Sequence, residues 1–366
     1  MINVHIRAQS GMATIAVALI LLFGISVITL FANRVVLFDI KMSSNQFSAG
    51  KAFQAAETGL EKIIASMQDM TWRSTYMQDA NFNNNKTIVS DSLTGTDMAF
   101  KVTIERVQNN SNLLLKLESL GCSEGCTPCN ETCPSKAKVV QYMRFKPYLS
   151  GAPSAPMTAK GNIQTGGNAD IINQDPSTTG LTVHAGGGNV QVGSATLTTL
   201  PGTPPAASIA KNDQTLSSLS DDQFFMEFFG DTKENVKNSA DLRINCNGTC
   251  NTELSGHTGK LIYVTGNTQI SSNLTIGSPT APVVLIVDGE LKITGNVQIH
   301  GIVYCTAIVW DNTGMGTVNI YGGAVAEGSF TGNGTPTITY DTGVLNKLNK
   351  EMGRYAKVLG TWRDFD

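Results

Sequence analysis

Four closely spaced cysteines are the densest group of reactive side chains in the sequence. They follow the pattern Cys122-x3-Cys126-x2-Cys129-x3-Cys133. Four thiolates could bind zinc tetrahedrally, or the four thiols could form two disulfides with three alternative pairings. The spacing differs from a usual pair of zinc knuckles, and no second knuckle follows. The pattern therefore favours two disulfides that staple an exposed loop, and it leaves their pairing open.

The other three cysteines are dispersed. Cys246 and Cys250 flank a short Asn/Gly/Thr stretch, and we predict a second disulfide staple around this turn. Cys305 lies in the apolar run 302–305. We expect a buried and unreactive thiol there, and we expect no bound metal in the protein.

Catalytic motifs are not apparent along the chain. Residues 256–260 resemble a phosphate-binding loop, but Leu254 stands where its first glycine would be. Asp288 and Glu290 could act as a carboxylate pair or bind calcium, although a turn at a strand end is the favoured explanation of both residues. The histidines have no metal-binding spacing: His5, His184, His257 and His300. We therefore expect no cofactor and no enzymatic activity. The alternative is an enzyme whose carboxylates converge only in the folded chain.

Composition narrows the class of protein. The chain has 366 residues, 15% of them charged, and a formal net charge of −3, which argues against a nucleic-acid partner. Glycine is frequent, with 36 residues, and aromatic residues make up only 7%. This composition is typical of many turns between short strands.

The sequence contains an uncharged apolar run from Met12 to Ala32, and any fold must provide an apolar environment for it. As a helix it would extend about 30 Å, enough to cross a bilayer. Arg7 in the short polar leader favours a cytoplasmic N-terminus and a periplasmic C-terminal part. A cleaved secretory signal would be shorter and would end at an Ala-x-Ala site. A plain membrane anchor and a processed, retained helix are the remaining interpretations.

The junction Gln9-Ser10-Gly11-Met12 resembles the class III signal of type IV pilins. The resemblance implies that residues 1–11 are a leader, that prepilin peptidase cuts after Gly11, and that the new N-terminal Met12 is methylated. Major pilins carry Glu at the fifth mature position, where this chain has Ala16. The missing carboxylate is expected of a subunit at the pilus tip or of an initiator. Export would also place the cysteines in an oxidising compartment.

A second stretch, Lys51 to Leu60, looks like the "AFQAAEAGL" signature of PilX-type minor pilins, which also lack the early Glu. The signature positions are Phe53, Ala56, Glu57 and Gly59. Glu57 is either an exposed helix carboxylate or a contact between the helix and a head domain. Long PilX-like chains also show similar "FFxxFFG", "VDGxLxxTGN" and "WRDF" segments, at 224–230, 287–296 and 362–365.

The expected fold class is α+β. We predict a transmembrane and amphipathic helix over 12–70, with its end near 68–70, and a pilin-like αβ-roll head domain over 71–148. That domain begins with a surface connection at 69–96 and contains antiparallel strands at 98–107, 113–120 and 138–145, with a hairpin turn at 108–112. A linker near Ser150 leads to a Gly/Asn-rich β domain over 149–366, either solenoid-like or an irregular sandwich. A helical insertion near 219–240 begins with a capping box at Ser220, and its four Phe residues form either core or a docking patch.

These features predict a non-catalytic minor pilin that takes part in type IV pilus assembly and primes or caps the filament at its tip. The resemblance implies as partners other minor pilins, the major pilin, prepilin peptidase, the inner-membrane assembly machinery and a large tip adhesin. It also implies a path from the inner membrane to the extracellular pilus, with a part in cell adhesion. The alternative hypothesis is a membrane-anchored β-solenoid enzyme that acts on carbohydrate, or a carbohydrate-binding protein.

Overall fold

The chain forms two compact units in the computed structural model, which describes residues 10–77, 81, 84, 86–107, 114–311 and 316–364. The first unit comprises Met1–Arg144 and Lys357–Asp366, and the second comprises Phe145–Ala356. Mixed helix and antiparallel sheet followed by a sheet-rich region confirm the α+β class. The histidine at position 5 and the expected hairpin turn at 108–112 lie outside the described residues.

The first unit has one long helix over an antiparallel sheet. Its elements are α1 (Ser10–Ser66), α2 (Met70–Tyr76), β1 (Lys86–Ser92), β2 (Ala99–Arg106), β3 (Leu114–Cys122) and β4 (Lys136–Pro147), whose last residues lie in the second unit. The strands β1 to β4 pair in sequence order, each antiparallel to the next. Asp69 accepts a hydrogen bond from the backbone N–H of Trp72 and so begins α2 just after α1 ends.

The strand β1 corrects the expectation that 69–96 is only a surface connection. The segment contains both α2 and β1, and the meander has four strands rather than three. In β1 only Thr87 is buried, so the strand lacks the alternating apolar residues by which strands are recognised in a sequence. Its pairing with β2 along its full length, from Lys86 opposite Glu105 to Ser92 opposite Ala99, defines it instead.

The second unit is a β-solenoid with short helices. Its elements are β5 (Met157–Ala159), β6 (Ile163–Gly166), β7 (Asp170–Ile172), β8 (Val183–Ala185), β9 (Val190–Gln191), β10 (Thr196–Thr198), a 3-10 turn (Pro205–Ser208), β11 (Ile209–Ala210), α3 (Gln214–Ser217), α4 (Asp221–Phe229), α5 (Lys233–Ser239), β12 (Leu242–Asn245), β13 (Gly248–Thr249), α6 (Asn251–Leu254), β14 (Leu261–Thr265), β15 (Thr268–Ile270), β16 (Leu274–Ile276), β17 (Val283–Ile293), β18 (Val297–Asp311), β19 (Val318–Ala326), β20 (Phe330–Asn333), β21 (Pro336–Thr339), α7 (Thr342–Lys350) and β22 (Gly353–Lys357), whose final residue belongs to the first unit.

The pairings between successive coils are parallel and in register. Met157 in β5 pairs with Val183 in β8, and Val183 pairs with Ile209 in β11. The inward side chains of the coils form one core of mostly aliphatic residues, which includes Ile163 and Leu285. Of the two alternatives that the sequence left for this region, the structure has the solenoid.

The coils are stacked in an order that differs from their order in the chain. From β5 the stack continues in one direction through β8 to β11. In the other direction β5 pairs with β19, and the stack continues through β18, β17 and β14 to β12. The first coil in the sequence therefore lies inside the stack, and both ends of the stack are formed by coils from the middle of the sequence.

The helices α3 to α5 belong to the segment that joins the two ends of the stack. The stack has eight strands from β12 to β11, and the seven steps between neighbouring strands correspond to about 34 Å. A capping box at Ser220 begins α4, as the sequence predicts, and Gly230 ends it in the left-handed conformation. The four Phe residues of α4 are buried, and their rings pack around Tyr304 of β18. This cluster is therefore core packing within the second unit.

A buried ion pair also fastens this segment to the solenoid. Lys233 Nζ in α5 lies 2.6 Å from Glu327 Oε1, and the Glu327 side chain is only 4% exposed. Burial raises the pKa of Glu327, although the hydrogen bond and charge of Lys233 oppose this shift. Removing the lysine would leave an uncompensated charge in the interior, which is more costly than losing the pair as a whole.

The second unit ends before the C-terminus. The sequence assigned 149–366 to one domain, but residues 357–366 cluster with the first unit. Gln141 in β4 donates hydrogen bonds to the carbonyl oxygen of Val358 and to the hydroxyl of Thr361. Val140 and Arg363 exchange two backbone hydrogen bonds. The chain thus returns to the first unit after completing the solenoid.

We predict that Lys233→Met destabilises the protein by about 3 kcal/mol at neutral pH, because Glu327 loses its partner. The cost should shrink as the pH is lowered, since protonation removes the buried charge. Thermal unfolding of the full chain in detergent and hydrogen exchange over 214–239 would measure it. Lys237→Met is the matched control, because Lys237 lies in the same helix and faces the Tyr263 ring without an ion pair to any residue that the structure describes. Equal effects of both variants would contradict this account.

Candidate functional site

The helix α1 has two halves with opposite surroundings. Large apolar side chains from Ile15 to Phe47 are exposed, and Ile20 and Phe23 are each 71% exposed. The burial of the helix begins at Ser48, which is 8% exposed. One stretch of this helix is long and apolar enough to cross a membrane, and none of that stretch is buried within the chain. The exposed half fits a membrane anchor or a helix that packs among similar helices.

Small residues let the second half of α1 approach the sheet closely. Ala52, Ala55 and Ala56 are fully buried. Gly121 in β3 faces them, and a Cβ at this glycine would lie 2.1 Å from the Ala52 carbonyl oxygen. The hydroxyl of Ser119 donates a 2.7 Å hydrogen bond to the Ala56 carbonyl oxygen. The helix backbone therefore rests directly on the strand.

The signature positions have distinct environments. Ala56 is buried against β3, and a Cβ on Gly59 would lie 2.5 Å from the Phe100 ring. Phe53 packs edge-to-face on Trp362, with ring centroids 6.5 Å apart. Glu57 is half-buried and forms no hydrogen bond or ion pair with another residue in the described part of the chain. Phe53, Ala56 and Gly59 thus belong to the surface by which α1 packs on the rest of the first unit, and we call this surface the seat of the helix.

The positions proposed for processing lie at the start of α1. Gly11 and Met12 fall within the helix that begins at Ser10, and the Met12 side chain is outside the described set. Ala16 is exposed on the apolar half. A side chain there can face lipid or a neighbouring helix.

The cysteine-rich loop between β3 and β4 contains two interleaved disulfides. Cys122 pairs with Cys129 and Cys126 pairs with Cys133, with Cα–Cα distances of 5.5 and 5.9 Å. Three of these sulfurs lie within 4.8 Å of one another. A disulfide sulfur is not the thiolate that zinc requires, so the paired form does not offer a zinc site.

This loop is joined to α1 at the residue where burial of the helix begins. The hydroxyl of Ser48 donates a 2.5 Å hydrogen bond to Glu124, and the hydroxyl of Ser123 donates one of 2.9 Å to the Ser48 carbonyl oxygen. Lys51 forms an ion pair with Asp97 at 3.0 Å, and its hydrogen bond lowers the pKa of Asp97. The disulfide-bonded loop over residues 123–135, which we call the collar, thus contacts α1 at the point where burial of the helix begins.

The remaining cysteines and carboxylates that the sequence suggested as functional residues lie in the second unit. Cys246 and Cys250 form a third disulfide, and Cys305 is a buried free thiol whose pKa is raised by burial. Asp288 accepts a 3.2 Å hydrogen bond from the Tyr263 hydroxyl. Glu290 is exposed and has its backbone N–H bonded to an asparagine side chain.

The first unit combines a helix that is long and apolar enough to cross a membrane with a small antiparallel sheet. The PilX N-terminal family model matches residues 10–61, which cover the apolar half of α1 and the signature positions. The N-terminal segment is therefore similar to the PilX N-terminal domain, and this similarity suggests a minor pilin of a type IV pilus. The match ends at residue 61 and does not include the solenoid. No curated protein and no solved structure matches the chain.

The close seat of α1 gives a test with a matched control in the same helix. We expect Gly59→Ala to destabilise the first unit by about 1–3 kcal/mol, because the added methyl group overlaps the Phe100 ring. Gly50→Ala should be neutral or stabilising by up to about 1 kcal/mol, because nothing lies within 4 Å of its Cβ position. Thermal unfolding in detergent and hydrogen exchange of β2 would measure both. Identical behaviour of the two variants would show that the seat is not tightly packed.

The collar gives a second test. The double variant Cys126→Ser/Cys133→Ser should lose about 2–3 kcal/mol of stability, since it opens a loop of about eight residues. Hydrogen exchange should accelerate at residues 48–52 of α1. The control Cys246→Ser/Cys250→Ser should leave that exchange unchanged, because its disulfide lies in the second unit. Peptide mapping that finds a Cys122–Cys126 disulfide would contradict the pairing.

Proposed function

We propose that this protein is a minor pilin that primes or caps a type IV pilus at its tip. The observation that carries the proposal is the PilX-type helix with its apolar half entirely uncovered. In water such a surface is unfavourable by roughly 25 cal/mol for each Å² of apolar area. Lipid covers it before assembly, and the helices of neighbouring subunits cover it in the filament.

The position of the subunit in the pilus filament is inferred from Ala16. A major pilin has a carboxylate at this position, which pairs with the terminal amine of a neighbouring subunit. A chain with a methyl group there cannot form that bond, so its helix suits an end of the filament better than the body. The chain is oriented with its N-terminus in the cytoplasm and its remaining units in the periplasm, and it reaches the cell surface with the pilus.

The assembly role rests on helix packing and needs no catalytic group. Its partners are other minor pilins, the major pilin and the inner-membrane assembly machinery, after prepilin peptidase has removed residues 1–11. The solenoid is then displayed at the tip, where it is available to a tip adhesin or to a surface. The collar supports this arrangement by fixing the direction in which α1 leaves its domain.

The mass of the N-terminal peptide tests the class of protein. In cells with prepilin peptidase we expect a methylated Met12 terminus, and in cells without it an intact leader. Gly11→Val should retain the leader in both strains, because the cleavage site is blocked, whereas Ser10→Ala should be processed normally. An intact leader on the unaltered chain in peptidase-competent cells would refute the pilin assignment.

Antibodies against the solenoid test its place in the filament. Gold labelling should mark the ends of sheared pili, and deletion of the protein should reduce the number of pili per cell. Labelling along the filament at the frequency of the major subunit would contradict the tip position while leaving the pilin class intact.

A further inference from the structure

Three coils of the solenoid bring together a serine, a histidine and an aspartate that are far apart in the sequence. Ser154 Oγ lies 2.5 Å from His184 Nδ1, and His184 Nε2 lies 2.7 Å from Asp213 Oδ2. These contacts form one continuous chain of hydrogen bonds from hydroxyl to imidazole to carboxylate. This is the order in which a nucleophile, a general base and an orienting acid are connected in hydrolases.

The stacking of coils fixes this arrangement. Ser154 precedes β5, His184 lies in β8, and Asp213 follows β11. These strands are consecutive neighbours in the stack, where His184 is in register with Thr158 on one side and Ala210 on the other. Each functional group is thus supplied by a different coil.

Further hydrogen bonds hold the two outer residues. The Tyr340 hydroxyl donates to the carbonyl oxygen of Pro153, the residue before the serine, at 2.7 Å. Asp213 uses its other carboxylate oxygen to accept bonds from the backbone N–H and the hydroxyl of Thr215, and so begins α3. The carboxylate is therefore oriented by its cap, with one oxygen left for the histidine.

The charge of Asp213 determines which nitrogen of His184 donates a hydrogen bond and which accepts one. Bonds from Thr215, and then from His184, lower the pKa of Asp213 to about 2, so the carboxylate is ionised and can only accept. When the His184 ring holds a single proton, that proton is on Nε2, because Asp213 can only accept it in a hydrogen bond. Its Nδ1 is left as an acceptor that faces the Ser154 hydroxyl, which is the arrangement that a general base needs.

We propose that Ser154, His184 and Asp213 form a hydrolytic site for short-chain carboxylic esters. Ser154 Oγ attacks the ester carbonyl carbon while Nδ1 of His184 takes the hydroxyl proton. The carbon–oxygen bond to the alcohol then breaks, and the same proton passes to the leaving alcohol. Water, deprotonated by His184, attacks the acyl-serine, and the proton returns to Ser154 as the carboxylic acid is released.

Exposure indicates the kind of substrate. Ser154 is exposed at the surface, whereas His184 is only 15% exposed. An ester carried on a larger molecule, such as an O-acyl group on a polymer, can therefore reach the nucleophile without entering a deep cavity. An accessible serine with a covered base is suited to small acyl groups, since no long acyl chain has to be enclosed.

The test uses the full chain in detergent, with p-nitrophenyl acetate as substrate and a fluorophosphonate as covalent probe. We expect ester turnover and a phosphonate adduct that mass spectrometry locates on Ser154. Ser154→Ala should abolish the adduct and reduce turnover by about 10²–10⁴-fold, and Asp213→Asn should reduce both adduct formation and turnover. Substrate with an octanoyl group should be hydrolysed more slowly than the acetate.

Two controls separate chemistry from folding. Ser177→Ala removes another exposed hydroxyl that bonds to a carboxylate, and His257→Gln removes another surface imidazole. Both should retain the full rate, and all variants should keep the thermal unfolding temperature of the unaltered chain. Absence of turnover and adduct in the folded protein would overturn the proposal, as would a Ser154→Ala variant with an undiminished rate. The assay is independent of leader processing, so the pilin assignment stands or falls separately.

Discussion

The uncovered apolar half of α1 is the constraint on which the rest of this protein depends. Its helix backbone satisfies its own hydrogen bonds, so it can lie in lipid, but its large apolar side chains are exposed. The same helix continues over the sheet of the first unit, where alanines lie closest to the strand and larger residues such as Leu60 and Met67 are buried. One element therefore changes its surroundings at Ser48, and the collar with its two disulfides is located at that point.

The collar shows how a small antiparallel sheet can hold a helix about 85 Å long. Only the second half of the helix contacts the sheet, and its packing combines close backbone approach at Gly121 with buried large side chains such as Leu60 and Met67. Disulfides suit this task because they restrict the loop without requiring more apolar area than a small unit can bury. The hydrogen bonds between the loop and Ser48 then determine where the helix becomes free.

The order of coils in the second unit has consequences for its surface. Because β5 lies inside the stack, the segments that enter and leave the solenoid meet at neighbouring coils, and both ends of the stack remain remote from them. The return through α4 and α5 is secured by the Phe cluster around Tyr304 and by the Lys233–Glu327 pair. The same arrangement places Ser154, His184 and Asp213 on three adjacent coils. In the sequence these residues are 30 and 29 positions apart, which is about the length of one coil.

The sequence alone determined the elements whose signal is local. An uncharged apolar run defines the membrane helix, and the capping box at Ser220 begins α4 because the cap and its partner are three residues apart. The alternating residues of β2 to β4 likewise indicate an antiparallel meander. These features depend on neighbours along the chain, so they can be recognised without the fold.

Only the tertiary structure decided the features that depend on pairing across space. The strand β1 has a single buried residue and exists because β2 pairs with it. The sequence allowed three disulfide pairings of the four clustered cysteines, and the folded loop contains Cys122–Cys129 and Cys126–Cys133. The coils differ in length, so Gly-Asn repeats could not reveal the stacking order or the neighbours of His184. The hydrogen-bonded serine, histidine and aspartate carry no common motif, since parallel stacking joins residues by register and not by sequence spacing.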